Sequence, residues 1–89
     1  MKAVITVVGK DTVGIIAKVS QLCQNMNANI SDISQKVMGD LFVMIMLVEI
    51  DKLNVKYTEF VDAMNALGDQ EGLKVHTMHE DIFNAMHRV

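Results

Sequence analysis

Gly9-Lys10-Asp11-Thr12-Val13-Gly14-Ile15-Ile16-Ala17-Lys18-Val19 is the stretch from which the rest of the chain can be read. The apolar run Ala3 to Val8 enters it and the amphipathic run Ile15 to Met26 leaves it. That pattern spells a strand, a tight turn bracketed by two glycines, and the start of a helix. Asp11 or Thr12 is placed to cap the helix, accepting hydrogen bonds from its first free backbone N–H groups. The remaining N–H groups and the positive end of the helix dipole point out of the turn. A small ligand bearing a carboxylate can dock against such an end. The plainer alternative is that Gly9 and Gly14 serve only tight turning and close packing of the helix.

Outward from this turn, the elements follow one another with short connections. Residues 2–8 read as a strand by their β-branched content. Ile15, Ile16, Val19, Leu22, Cys23 and Met26 recur at helical spacing. Asn27-Ala28-Asn29 ends that helix, because asparagine tolerates the left-handed conformation of a helix terminus. Residues 29–38 make a polar second strand, and Gly39-Asp40 turns into Leu41 to Ile50, a third strand apolar on both faces. Such close spacing joins the two strands as an antiparallel hairpin. Val55 to Leu67 reads as a second helix, with Asn54 as its cap and Gly68 as its stop. A loop from Asp69 to Gly72 leads into a fourth strand, Leu73 to Met78. Glu80 to His87 reads as a short terminal helix with acids in its first turn and Ile82, Phe83 and Met86 on one side.

The order βαββαβ specifies an α+β fold. Right-handed crossovers joined by a hairpin give the ferredoxin-like sandwich, a four-stranded antiparallel sheet with two helices on one face. The short C-terminal helix is additional. Polarity sets the strand order at 4-1-3-2, since the apolar strands one and three suit the centre and the polar strand two suits an edge.

Two motifs in this frame carry a resemblance. Val7-Val8-Gly9-Lys10-Asp11-Thr12-Val13-Gly14-Ile15-Ile16-Ala17 resembles the G-x-D-x-x-G-[IL]-[IVL]-A signature of ACT domains, and Asn29-Ile30-Ser31-Asp32-Ile33 resembles the N-I-x-D-I opening of their second strand. The likeness extends over nearly the whole chain and points to small single-domain ACT proteins related to the glycine-cleavage repressor group. It implies one ACT-like domain over residues 1–89. It also implies a regulatory role: binding of an amino acid or similar small metabolite at the contact between two domains. Asp11, Thr12, Val13, Gly14 and Ile15 would then supply backbone N–H groups to a carboxylate. Asn29 and Ile30 of a neighbouring copy would supply amide and backbone contacts to an amino group. A different implication is a pure interaction module that dimerises and binds no ligand.

Composition narrows the field from the other side. Eighty-nine residues make one domain, and its formal charge of −3 comes with no basic block and no tryptophan. Nucleic-acid binding, which wants clustered Lys and Arg with stacking rings, is not expected. The longest apolar run, Leu41 to Val48, is far short of the ~20 residues that span a bilayer. A single cysteine leaves no intramolecular disulfide and no Cys-rich metal site, and it suits a reducing cytoplasm. Cys23 lies on the apolar stripe of the first helix, where a buried inert thiol is expected. His76, His79, Glu80 and His87 gather near the C-terminus without the convergence a metal needs. No Ser/His/Asp order or Walker loop is present, and the first turn offers Lys10 and Asp11 where a phosphate-binding enzyme of this fold would hold an arginine. Neither catalysis nor a cofactor is expected.

A homodimer is expected instead. Side chains alternate across a strand. Ala3, Ile5 and Val7, with Phe42, Met44, Met46, Val48 and Ile50, therefore face the helices. Val4, Val8, Val43, Ile45 and Leu47 share the open face with Lys2, Thr6, Glu49, Lys74 and His76. Soluble monomers rarely leave such an apolar patch in water. Either a second copy or the terminal helix of the same chain must cover it.

Overall fold

A computed structural model describes residues 1–10 and 14–86. It comprises β1 (Lys2–Lys10), α1 (Ile15–Asn25), β2 (Asn29–Met38), β3 (Leu41–Glu49), α2 (Tyr57–Glu71), β4 (Lys74–His79) and α3 (Glu80–Met86). One four-stranded sheet runs β2-β3-β1-β4, with β3 antiparallel to both β1 and β2 and β4 antiparallel to β1. This is the ferredoxin-like order read from the polarity of the strands.

Alternation along the strands builds the core. Ala3, Ile5 and Val7 of β1 are buried against Val48, Met46 and Met44 of β3. Ile15, Val19 and Cys23 of α1 and Phe60 and Met64 of α2 close the cluster from the helix side. β2 is different: Ser31 to Met38 are exposed throughout, as befits an edge paired on one side only.

Several boundaries differ from the sequence reading, each for a local reason. β1 does not turn at Gly9 but pairs with β3 as far as Lys10↔Leu41. Gly9 lies within the strand, and a Cβ there would lie 2.5 Å from Leu73 Cδ2, so a larger residue would require the Leu73 side chain to move. Gly68 does not stop α2. It lies inside the helix, and α2 packs so closely on β4 that a Cβ at Gly68 would meet Val75 Cγ2 at 2.8 Å and the Leu73 carbonyl at 3.0 Å. The helix continues through the expected loop, and Gly72 closes it at φ 70°. Asn54 does not cap α2, whose N-cap is Lys56. It serves the other helix, its N–H donating to Met26 O at 3.1 Å and its Nδ2 to Asn25 O at 2.9 Å. Asn27 does end α1, in the left-handed conformation at φ 61°, with Nδ2 donating to Lys52 O at 2.6 Å.

The open face is partly closed. Val4 points there, in register with Leu47 and Met78, yet it is only 4% exposed. α3 packs on β1 and β4 and accounts for that burial. It turns Phe83 inward but leaves Ile82 and Met86 exposed, at 55% and 66%. Leu41 and Ile45 stay exposed on the β3 side of the face.

Candidate functional site

The N-cap of α1 is Gly14, where the sequence suggested Asp11 or Thr12; Asp11, Thr12 and Val13 lie outside the described residues. Gly14 adopts φ 85°, a conformation costly for residues with a Cβ. Its carbonyl accepts from Lys18 N–H at 3.0 Å, the first hydrogen bond of the helix. Among the described residues, no side-chain cap hydrogen bond is made at the first turn. Among the described residues, a Cβ at Gly14 would meet nothing within 4 Å. Ile15 is buried and can offer a ligand only its backbone. Ile16, expected on the inward stripe, is exposed instead, on the flank of α1.

Asn29 and Ile30 open β2. Ile30 packs half-buried against the core, opposite Val48, and presents only backbone outward. Asn29 is exposed and donates from Nδ2 to Glu49 Oε2 at 2.5 Å. It borders two hollows. One, of about 360 Å³, lies between the end of α1 and the start of β2, with Ser20, Gln24 and Asn27 in its lining. The other, of about 280 Å³, is lined by Asn27, Asn29, Glu49, Asp51 and Lys52. The carboxylate of Asp51 is taken by the α-ammonium of Met1 at 2.6 and 2.7 Å.

Glu49 is the residue that sequence reasoning missed as a partner of this site. From the Gly39-Asp40 turn, the register Met38↔Leu41 continues unbroken to Asp32↔Leu47, and its extension would set Asn29 against the buried Ile50. A bulge between Ile30 and Asp32 shifts the pairing by one and sets Asn29 against Glu49. Bulges re-aim side chains in this way.

The two halves of the expected site do not meet within one chain. β1 and β2 both run antiparallel to β3 and so parallel to each other. Lys10, leading to Gly14, is level with Leu41, whereas Asn29 is level with Glu49 and Lys2 at the opposite end of the sheet.

Other candidate groups stand apart from this region. Burial pushes the Cys23 thiol up to about 11. His76 is exposed on the open face, and His79 Nδ1 accepts from Asp81 N–H at 3.1 Å; His87 lies outside the described residues. Among the described residues, no group of His, Cys, Asp and Glu side chains could hold a metal ion. No described helix is long and apolar enough to cross a membrane.

Comparison with known proteins bears on this arrangement. The family model of the ACT domain matches residues 2–78. A UPF0237 protein of Methanococcus maripaludis is 48% identical over 86 residues, spanning 97% of this chain and 96% of its own length. Among solved structures, an ACT domain protein from Streptococcus pneumoniae is similar with a TM-score of 0.81 and 39% identity, covering 98% of both chains. A candidate glycine cleavage system transcriptional repressor is similar with a TM-score of 0.73 and 28% identity, over 89% of this chain and 47% of that one.

Proposed function

Because the chain belongs to the ACT domain family, we propose that it is a cytoplasmic regulatory module that binds an amino acid or similar small metabolite as a homodimer. Residues 1–89 act as one such domain, and they carry out no catalysis of their own. The observation that carries this reading is the parallel course of β1 and β2, which sets the Gly14 end of α1 and the Asn29 end of β2 at opposite ends of the sheet. Antiparallel pairing of two β2 edges about a two-fold axis brings the Gly14 end of one copy beside the Asn29 end of the other. Each dimer then holds two such composite sites. In each, the backbone N–H groups around residues 11–15 take the ligand's carboxylate, and Asn29 with the Ile30 backbone takes its amino group.

The edge supports the pairing. Ile33 and Val37 of β2 and Ile16 of α1 are exposed, an apolar rim beside unpaired backbone groups. A thermal-shift screen against the twenty amino acids tests the reading. A ligand at 100 times its Kd adds about 2.7 kcal/mol to stability, and Asn29→Ala should lower that gain. A dimer that no amino acid stabilises would make the chain a dimerisation module without a ligand.

A further inference from the structure

We propose that Glu49 determines the ligand class at this site, by fixing the amide of Asn29 and presenting a carboxylate to the ligand's ammonium. The inference rests on Asn29 being a ligand contact and adds a residue and a selectivity to that reading. An asparagine side chain offers two donors on nitrogen and an acceptor on oxygen. Here Nδ2 is engaged by Glu49 Oε2 at 2.5 Å, which fixes which end of the amide faces the carboxylate. Oδ1, together with the second N–H of Nδ2, is thereby left for a ligand. An acceptor oxygen beside a carboxylate suits a cation and disfavours a second anion.

The surroundings leave this role to Glu49. Of the two acids lining the hollow of about 280 Å³, Asp51 already holds the α-ammonium of Met1. Asn27 spends its Nδ2 on the Lys52 carbonyl. Lys2 stands level with Glu49 on β1, and among the described residues the partner of the Glu49 carboxylate is Asn29. The Asn29–Glu49 pair itself exists only because the bulge in β2 brings the two residues level. The site therefore selects a free α-amino acid, ammonium and carboxylate together, over a simple carboxylic acid.

Isothermal titration of the full chain with glycine, L-alanine and L-serine, and with propionate as L-alanine without its ammonium, tests this. Wild-type protein should bind L-alanine at least about tenfold more tightly than propionate. Glu49→Gln keeps the shape, removes the charge and allows the Asn29 amide to turn over. In that variant the preference should fall to near unity, with propionate binding no weaker than to wild type. Both side chains are exposed, so thermal melts should coincide with wild type; Glu49→Ala gives the same readout without a competing amide. Amino-acid binding that both variants leave intact would overturn the role of Glu49 while keeping the ligand reading. Wild-type protein that binds none of these three, and is stabilised by none of the twenty amino acids in the thermal-shift screen, would overturn the two together.

Discussion

Cys23 is 1% exposed on the inward stripe of α1, and burial pushes its thiol from the ordinary 9.0 up to about 11. The thiolate is the reactive form, and it is scarce here at neutral pH. Native protein should resist Ellman's reagent and react fully once unfolded in urea; fast labelling of the native state would contradict the burial of α1. The raised value also has a consequence for stability. Below pH 9 the thiol is protonated in both folded and unfolded chains and contributes nothing. Between pH 9 and 11 the unfolded chain loses its proton first, so stability falls as pH rises. The loss by pH 10 should be about 1 kcal/mol, read as a drop in urea midpoint from pH 8 to pH 10. Cys23→Ala should remove that part of the slope. Tyr57, also raised by burial, adds in the same direction.

At the scale of elements, α2 shows how a single residue type can be read in two ways. Glycine at the end of an apolar stripe, as at Gly68, reads as a stop. Its actual role is contact, because α2 lies against β4 closely enough to exclude a methyl group. The two roles predict opposite outcomes for Gly68→Ala. As a mere helix residue, alanine would gain nearly ~1 kcal/mol in propensity. Against Val75 and the Leu73 carbonyl it should instead cost about 1–3 kcal/mol, lowering the melting temperature by several degrees. Adding Val75→Ala should relieve the side-chain part of the clash and leave the part from the carbonyl. A melting temperature raised by Gly68→Ala alone would refute the contact.

The whole molecule is a slab with Cα extents of 36 × 34 × 19 Å, α1 and α2 on one side and a sheet half covered by α3 on the other. Its exposed apolar residues fall into two groups. Ile16, Ile33 and Val37 line the β2 edge, while Leu41 and Ile45 of β3 and Ile82 and Met86 of α3 stay exposed on the open-face side. The proposed edge pairing would unite Gly14 with Asn29 from two copies, so Val37, 54% exposed, is the residue to challenge. Light scattering with size exclusion should give a two-chain mass for the wild type. Val37→Lys should yield one chain and lose amino-acid binding with it, whereas Ile45→Glu should keep both. The reverse pattern would move the interface to the open face. A one-chain mass for the wild type at micromolar concentration would exclude the dimer.

The sequence alone determined the element order, the inward and outward faces of β1 and β3, the placing of β2 at an edge, the burial of Cys23 and the family. These are legible because periodicity and polarity are local properties, written in neighbouring residues. Tertiary structure decided what depends on two distant segments meeting. Gly68 is a contact and not a stop because β4 happens to lie beneath it. Asn54 caps α1 and not α2 because the loop after β3 folds back to the end of that helix. Val4 is buried because α3 crosses its strand. Above all, Asn29 faces Glu49 because one extra residue in β2 shifts a register that the turn would otherwise have fixed. The bulge shows in the sequence only as the odd spacing of Ile30 and Ile33 in a largely polar strand, too short a signal to place it, so the pairing it creates was found in the fold.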